Sequence, residues 1–466
     1  MDQPDAAAGP PPPPPPPAVG APRASHRVSD PSAAGTPTPR PWDALTAAGP
    51  PVDPPPFDRP SMNRGRRETL LVFCEKTRQH HTAKNCLFRD PANSRRSSRD
   101  AALGSVAEAY WPIPNRQPMR TIMGHVEFCY VLTRATRGSG GGSGDGSDSD
   151  NSYDDSDSDS DFDNDDEEDD IVFTLTYRRV AVKVNYGRRI EHYRNRHAED
   201  PLKELACMQL VGNDHPNVMG VVDALVDGEN LNVVMPYARH GDLFEMLQHA
   251  EQTGNRFTED QARYWFRQLL DGVAHLHGSG VCHRDLSPEN VMMDDRDCLI
   301  IDMGMAIRVP YSDPSNIGGV TDIRNGTEKR LMRPQGTAGK LPYMSPEIYE
   351  NSRPFDGGAA DVWTLGTILF CMVTGNRSYS RPDRTDPQFY WMSHAIGQML
   401  TDWEIAVSDD CTDLLAKMMT IDPRMRATLE EVRNHPWVLA DRDAGLEIEF
   451  SAAPRGAALT TRPFIA

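Results

Sequence analysis

Three polar side chains in the middle of the chain have the types and spacing to bind a divalent cation and move a proton. The stretch VCHRDLSPENVMM places Asp285 five residues before Asn290, between apolar residues. A fixed carboxylate can act as a general base, and Asp and Asn oxygens suit the hard cation Mg²⁺. Asp302 follows the apolar segment CLII and precedes Gly304, which permits a sharp turn. Lys183 ends the segment VAVK and could neutralise phosphate charge.

The elements that must position these side chains change in character along the chain. Short β-like runs come first, including HVEFCYVL, IVFTLTY and RRVAVKV, and helical patterns dominate after Gly241. Thr258 and Gln261 form a capping box for one helix. Apolar residues then recur with helical spacing at Ala262, Trp265, Phe266, Leu269, Leu270, Val273 and Leu276. This order predicts an α+β fold with a β-rich N-lobe and a larger helical C-lobe.

Composition divides the chain into four regions. Residues 1–61 are rich in Pro, Ala and Gly and are expected to be disordered. Their run of eight prolines, Pro10 to Pro17, could bind a partner with an aromatic groove or act only as a stiff spacer. Residues 62–117 form an extension of uncertain fold. Residues 118–438 form the globular domain, with lobes at 118–235 and 236–438, and residues 439–466 form a tail.

Most of the negative charge belongs to one segment of the N-lobe. The net charge of the chain is −19, and Asp145 to Asp170 contributes fifteen acidic and no basic residues. We expect residues 137–170 to be a disordered acidic insertion. It could be a solvated loop, bind a basic partner or be phosphorylated at its serines. The remainder is nearly neutral, so nucleic acid is not an expected partner.

The eight cysteines form no C-x-x-C pair, which favours reduced thiols in the cytoplasm or nucleus. The N-terminus has no basic start and no apolar core, so it is not expected to be a signal peptide. The longest apolar run, ILFCMV, is too short to cross a bilayer, so no membrane partner is expected.

The motifs together resemble the eukaryotic protein kinases. HRDLSPEN resembles the catalytic loop, DMG the metal-binding motif and VAVK the third strand of the small lobe. YMSPE, DVWTLG and DPRMRAT resemble later motifs of the same family in the same order. HGDLF and NHPWV are most similar to the Ser/Thr kinases of the calcium/calmodulin-dependent-kinase-like group. The resemblance covers about residues 118–438 and implies an ATP- and Mg²⁺-dependent enzyme, expected to be a monomer.

The resemblance assigns a role to each matching position. Asp285 would orient the substrate hydroxyl or accept its proton, and Asn290 and Asp302 would hold Mg²⁺. Lys183 would bind the α- and β-phosphates, positioned by Glu204 or, as the alternative, Glu199. The nucleotide-binding positions would be Gly124, Val131, Ala181, Met235, Pro236, Ala238, Asp242 and Met292. Arg426 would pair with Glu347.

Two positions depart from the family pattern. GHVEFCYV matches the glycine-rich loop in register, but Val126 and Cys129 replace two glycines, which should loosen nucleotide binding without abolishing it. Ser287 replaces the usual lysine of the catalytic loop. Lys340 could reach back and supply the missing cation. Alternatively, Lys340 faces solvent, and Thr337 takes the place of the family's conserved threonine.

Regulation and substrate preference follow from the same resemblance. Arg284 precedes Asp285, which is typical of kinases activated by phosphorylation of the activation segment. Thr337 is the expected phosphorylation site, with Thr321 and Thr327 as alternatives. Asp242 and Glu289 favour protein substrates with basic residues before the target Ser or Thr.

The sequence therefore predicts an active Ser/Thr protein kinase. The alternative is a pseudokinase that serves as a nucleotide-binding scaffold. The retention of Lys183, Asp285, Asn290 and Asp302 favours the enzyme.

Overall fold

The computed structural model describes residues 49–90, 106–134, 172–193, 199–253, 256–313 and 315–440. Their contacts divide the chain into two compact units. The smaller unit comprises Met62–Tyr186 and Asp223–Val234, and the larger comprises Met1–Ser61, Gly187–Val222 and Met235–Ala466. The proline run, the acidic insertion and the tail beyond residue 440 lie outside the described residues.

The smaller unit is built on one sheet. Its strands are β1 (Asn63–Cys74), β2 (Gln79–Arg89), β3 (Glu108–Pro112), β4 (Met119–Arg120), β5 (Gly124–Arg134), β6 (Val172–Asn185), β7 (Asp223–Asp227) and β8 (Asn230–Pro236). Their order is β3-β2-β1-β7-β8-β6-β5-β4, and β3 also pairs with β5. The pairing of β3 on both sides closes the sheet on itself and leaves fewer free edges.

The segment 62–117, whose fold the sequence left open, belongs to this sheet. Strand β1 pairs with β2, β6 and β7, and β3 pairs with β5 from Glu108↔Thr133 to Pro112↔Cys129. The expected domain start at residue 118 is therefore no structural boundary, because strands before and after it share hydrogen bonds.

The stretch expected to form the glycine-rich loop is instead a continuous strand. Gly124 to Val131 all lie in β5, which pairs with β6 from Gly124↔Asn185 onward. A Cβ atom at Gly124 would lie 1.8 Å from the backbone oxygen of Val184. Glycine is required there by the close approach of the neighbouring strand, and the expectation of a phosphate-binding turn at this position is wrong.

Val131 and Ala181, both assigned to nucleotide binding from the sequence, face opposite sides of the sheet. Val131 is fully buried among Val180 and Val182. Successive residues of a strand point to opposite faces, so Ala181 and Lys183 lie on the other face of β6 from these valines. Their cross-strand partners in β5 are Phe128 and Val126, respectively. Cys129 lies in the same apolar cluster as Val131, and its burial raises the pKa of the thiol.

The larger unit is mainly helical. Its helices are α1 (Gly187–Tyr193), α2 (Pro201–Val211), α3 (Leu243–Thr253), α4 (Glu259–Gly278), α5 (Pro346–Glu350), α6 (Gly357–Thr374), α7 (Pro387–His394), α8 (Ile396–Asp402), α9 (Asp409–Met418), α10 (Leu429–Arg433) and α11 (Pro436–Leu439). Its short strands are β9 (Val281–Cys282), β10 (Val291–Met293), β11 (Cys298–Ile300), β12 (Ile307–Arg308), β13 (Tyr311–Asp313), β14 (Asn316–Thr321) and β15 (Glu328–Lys329).

Helix α4 confirms the pattern read from the sequence. Thr258 and Gln261 form the capping box with both hydrogen bonds present, and the seven apolar positions expected to face the core are all buried. They form one cluster with the apolar residues of α6. These two helices carry the loop that contains Asp285.

Helix α6 is the one described helix with the length and apolar composition of a membrane span. However, 89% of this helix is buried inside the protein. Its apolar side chains are thus covered by the larger unit itself. All eight cysteines of the chain are free thiols and are buried.

Candidate active site

The loop that carries Asp285 is anchored on helix α6. Asp361, which is 1% exposed, accepts hydrogen bonds from the backbone N–H groups of His283 and Arg284, each at 2.9 Å. His277 Nε2 lies 2.8 Å from the same carboxylate. Arg284 has a φ of 66°, an uncommon left-handed conformation for a side chain of this size. Such strain persists only where surrounding contacts enforce it, as the two bonds to Asp361 do here.

Asp285 lies in this loop with one carboxylate oxygen available. Asn290 Nδ2 donates to the backbone oxygen of Asp285 at 2.7 Å and to its Oδ2 at 3.3 Å. Oδ1 is buried and has no hydrogen-bond partner among the described residues. Burial raises the pKa of Asp285, and Asp302 raises it further, while Lys340 and His283 lower it. The result is a carboxylate with raised basicity and a free acceptor atom.

Asn290 and Asp302 are placed by a small hairpin. Strands β10 and β11 pair through Val291↔Ile300, and the backbone N–H of Ile301 donates to the oxygen of Asn290 at 2.9 Å. Asn290 therefore precedes one strand and Asp302 follows the other. Asp302 has a φ of 64°, and its Oδ1 accepts from the N–H of Gly304 at 3.2 Å. Two oxygen-bearing side chains at one end of a hairpin, beside the open oxygen of Asp285, fit a Mg²⁺ ion by donor type.

Lys340 contacts the position where the family lysine is absent. Its Nζ donates to Ser287 Oγ at 2.7 Å and lies 3.4 Å from Glu289 Oε2. Ser287 is fully buried. A Cβ atom at the neighbouring Gly339, whose φ is +93°, would lie 2.7 Å from the backbone oxygen of Arg284. Glycine thus lets this segment approach the catalytic loop closely enough for the lysine to reach it, which is the first of the two alternatives that the sequence left open.

The predicted pairing of Glu347 with Arg426 is confirmed. The guanidinium donates to both carboxylate oxygens, at 2.6 and 3.0 Å, and its side chain is completely buried. It also donates to three backbone oxygens, those of Ala359, Thr420 and Ile421. This bidentate pair ties α5 to the loop after α9 and so fixes the end of the segment that contains Lys340.

The nucleotide-binding positions assigned to the larger unit are partly brought together. Asp242 forms an isolated bridge with Met292, and the backbone N–H of His240 donates to the oxygen of Met293 at 3.0 Å. Ala238 is buried, Met235 is half-buried and Pro236 is exposed. Asp242 Oδ1 accepts from the N–H of Glu245 at the start of α3, at 2.8 Å. Burial, together with Glu245 and Glu289, raises the pKa of Asp242 to about 7, against opposing effects of that hydrogen bond and of Lys340.

Lys183 and its expected partners lie on different elements. Lys183 is half-buried in β6, opposite Val126. Glu204 is 8% exposed in the first turn of α2, and Asp200 caps that helix through the N–H of Leu202 at 2.9 Å. Glu199 lies beside Gly304, where an added Cβ would come within 3.4 Å of its side chain. The assignment of Glu204, or alternatively Glu199, as the carboxylate that positions Lys183 stays a prediction.

Thr337 and Arg284 line one cavity of about 520 Å³ in the larger unit. Thr337 is exposed, and the Nη2 of Arg284 donates to the backbone oxygen of Gly336 at 3.1 Å. Lys203 and Arg308 line the same cavity. Burial lowers the pKa of Lys203, and Arg284 lowers it further. Four basic side chains and two acidic ones, Asp58 and Asp200, line the cavity, so its lining has an excess of positive charge.

Sequence reasoning missed the residues that hold the catalytic loop. Asp361 was read only as part of a buried helix, and His283 and Gly339 received no role. A buried carboxylate 76 residues after Asp285 gives no local signal, because its partners are backbone N–H groups far away along the chain. The left-handed conformation of Gly339 likewise becomes visible only in the folded chain.

Comparison with known proteins agrees with this geometry. Residues 171–438, more than half of the chain, match the family described as the protein kinase domain. The serine/threonine-protein kinase SAPK7 of Oryza sativa subsp. japonica is 34% identical over 233 residues, covering 48% of this chain and 57% of the relative. SAPK1 from the same rice is 31% identical over 254 residues (53% and 66%), and SRK2C of Arabidopsis thaliana is 34% identical over 234 residues (48% and 60%).

The chain spans less than two thirds of the length of these curated relatives. The similarity lies in the region that carries the catalytic loop, the hairpin with Asn290 and Asp302, and the Glu347–Arg426 pair. With its β-rich smaller unit and helical larger unit, the chain belongs to the protein kinase family.

Proposed function

We propose that this protein is a Ser/Thr protein kinase that transfers the γ-phosphoryl group of Mg-ATP to a Ser or Thr hydroxyl of a protein. The observation that carries the proposal is Asp285, a largely buried carboxylate with a raised pKa and an unbonded Oδ1. Perturbed carboxylates of this kind mark sites of proton transfer. The relatives named above are serine/threonine-protein kinases, which supports the same reaction.

The reaction forms a bond between the substrate oxygen and the γ-phosphorus and breaks the bond to the bridging oxygen of ADP. Asp285 Oδ1 would accept the proton of the attacking hydroxyl. Asn290 and Asp302 would hold Mg²⁺, which supplies positive charge at the phosphates when bound. Lys183 would bind phosphate oxygens, as the family resemblance implies. Positioning and electrostatic stabilisation would account for most of the rate.

Lys340 would supply the cation that Ser287 cannot. Its bond to Ser287 Oγ supports this role, because Ser287 stands where the family has a lysine. The same ammonium lowers the pKa of Asp285 and so keeps that carboxylate more ionised. We assign Lys340 to stabilising the transferred phosphoryl group.

The test compares the protein with its Asp285→Asn variant, using Mg-ATP and a mixture of Ser- and Thr-containing peptides. Asp285→Asn should reduce phosphate transfer by about a hundredfold or more while leaving nucleotide binding intact. Asp271→Asn, which changes an exposed carboxylate far from the loop, serves as the matched control. Nucleotide binding without transfer in the unaltered protein would contradict the proposal and support a pseudokinase scaffold.

Phosphorylation of Thr337 is the proposed activating event. A phosphate there would add about two negative charges to the cavity lined by Arg284, Lys203 and Arg308. For substrates, we propose a preference for basic residues before the target hydroxyl, carried mainly by Asp242. Glu289 is already close to Lys340 and is partly neutralised by it. Peptides with Arg or Ala before the same Ser would test this preference.

A further inference from the structure

A short segment before the kinase domain lies along the larger unit and contacts residues 330–335. These residues belong to the activation segment, which we define as the stretch between Asp302 and Glu347. We define the strap as residues 49–61, which precede β1. It contacts residues 330–335 near its start and helix α2 at its end. Thirteen residues thus join two elements that kinases must position for activity.

The first part of the strap forms backbone hydrogen bonds with the activation segment. The N–H of Val52 donates to the oxygen of Leu331 at 3.2 Å, and the N–H of Arg333 donates to the oxygen of Val52 at 2.9 Å. Met332, between these partners, forms two further backbone bonds with Phe355, at 3.0 and 2.9 Å. The strap therefore adds an isolated parallel bridge, Val52↔Met332, to a pairing that already holds Met332.

Two charged side chains of the activation segment take their partners from the strap. Arg330 is 2% exposed, and its Nε and Nη2 donate to the backbone oxygen of Pro50. A buried guanidinium that lost this acceptor would carry an uncompensated cost. Arg333 forms an ion pair with Asp53 at 3.0 Å, and Gln335 Nε2 donates to the same carboxylate at 3.3 Å.

The second part of the strap ends on helix α2. Arg308 donates to the oxygen of Pro56 at 2.9 Å, and Phe57 packs against the main apolar cluster of the larger unit. At Ser61 the backbone N–H donates to Gln209 Oε1 at 2.8 Å, and Gln209 Nε2 donates back to the Ser61 oxygen at 2.7 Å. One side chain thus satisfies both backbone groups of one strap residue.

The strap also forms one wall of the cavity that contains Thr337 and Arg284. Residues 54–60 line it on one side, and α2 and the activation segment line the others. Strap binding and a phosphate on Thr337 would stabilise the same arrangement of the same elements.

We propose that residues 49–61 are an intramolecular positioning element that holds the activation segment and helix α2 in the conformation required for catalysis. The strap has a structural effect on residues 330–337 whether or not phosphate is transferred. The regulatory consequence rests on the proposed kinase activity, because the held segment presents Thr337 and Lys340. Release of the strap should lower kcat and leave the KM for ATP nearly unchanged.

The experiment uses the full chain with Asp53→Arg and Gln209→Ala combined. Asp53→Arg places a like charge beside Arg333, and Gln209→Ala removes both bonds to Ser61. The matched control is Asp214→Arg with Leu210→Ala, which makes the same change of charge at exposed positions outside the strap contacts. Removal of residues 2–61 provides a second way to release the segment.

Amide hydrogen exchange is the readout, since it reports local opening without requiring activity. In the double variant the amides of Val52, Ser61 and Arg333 should exchange about tenfold faster, which corresponds to ~1.4 kcal/mol. Residues 331–337 should follow, while α6 stays protected in every variant. kcat should fall by a similar factor only in the strap variants.

Two results would overturn the proposal. The first is an unchanged exchange rate at residues 331–337 when Val52 and Ser61 exchange freely, which would show that the strap does not hold those residues in place. The second is full protection of Val52 and Ser61 in the double variant, which would show that Asp53 and Gln209 are not its anchors. Absence of kinase activity with the expected exchange pattern would contradict the proposed function and leave the strap's structural role standing.

Discussion

At the scale of single residues, the catalytic loop has a serine where the family has a lysine, and a lysine from another segment contacts that serine. Ser287 is neutral and buried, and Lys340 comes from a different segment to bond with it. The Nζ of Lys340 lies 2.7 Å from Ser287 Oγ, and its charge lowers the pKa of Asp285. The serine at position 287 and its bond to Lys340 differ from the usual family pattern, and replacing Lys340 tests what this difference does.

Replacing Lys340 should therefore impair transfer much more than nucleotide affinity. We expect Lys340→Met to lower kcat by about a hundredfold, the effect of removing one preorganised donor, with little change in the KM for ATP. Adding Ser287→Lys to that variant should restore part of the activity, since the cation returns from the neighbouring residue. Steady-state kinetics measure both effects, and Lys417→Met, an exposed lysine paired with Asp413, is the control.

Equal effects of Lys340→Met and Lys417→Met would show that Lys340 has no catalytic role. An absence of rescue by Ser287→Lys, with the fold intact, would place that role elsewhere than at Ser287.

The raised pKa of Asp285 predicts a pH dependence. The carboxylate must be ionised to accept a proton, so kcat/KM should fall as the pH falls through the raised pKa of Asp285. Lys340 lowers this pKa, so Lys340→Met should move the acidic limb of the profile to higher pH. Asp242, whose pKa is raised to about 7, titrates in the same window. If the Asp242→Asn variant keeps the acidic limb of the pH profile, that limb belongs to Asp285.

At the scale of elements, buried polar contacts decide which segments stay fixed. Asp361 on α6 holds the catalytic loop by two bonds to backbone N–H groups, and Arg426 holds α5 by two bonds to the carboxylate oxygens of Glu347. Both side chains are almost completely buried. Removing one partner of such a group leaves the other unsatisfied in a medium that cannot solvate it.

Arg426→Met should thus strongly destabilise the protein. Loss of one partner of a buried ion pair typically costs about 3–5 kcal/mol, because Glu347 remains buried without its cation. Arg433→Met removes a surface pair with Asp271, in which both side chains are about half exposed, and should cost ~0–1 kcal/mol. Urea denaturation curves compare the two. Similar losses in both variants would contradict a special role for the buried pair.

At the scale of the whole molecule, the kinase family match begins at residue 171, but the smaller unit begins at Met62. Strands β1, β2 and β3 complete its sheet, and β1 pairs directly with β6 and β7. The additional strands are therefore part of the domain that carries Lys183. The strap, which precedes β1 in the chain, belongs to the larger unit.

A chain that begins at residue 118 should fail to form the smaller unit. It would lack three strands and the apolar partners that cover Leu132, Phe173 and Val131. We expect loss of cooperative thermal unfolding and of nucleotide binding, whereas a chain that begins at residue 49 should retain both. Calorimetry and a nucleotide-binding assay test this, and a cooperative, nucleotide-binding chain from residue 118 would show that β1–β3 are dispensable.

The sequence by itself determined the family, the catalytic loop, the capping box of α4 and the pairing of Arg426 with Glu347. It gave the contact of Lys340 with the catalytic loop only as one of two alternatives, and the structure shows that contact. These follow from short motifs and from residue types whose chemistry is local, such as a carboxylate followed five residues later by an amide. It misplaced the glycine-rich loop at Gly124 and Val131, because strand pairing rather than residue pattern decides which face of a sheet a side chain occupies.

Only the tertiary structure decided the role of Asp361, the membership of β1–β3 in the sheet, and the contacts of residues 49–61. Each depends on hydrogen bonds to backbone groups that lie far away along the chain. Backbone donors and acceptors are the same in every residue apart from proline, so their partners leave no mark in the order of the amino acids.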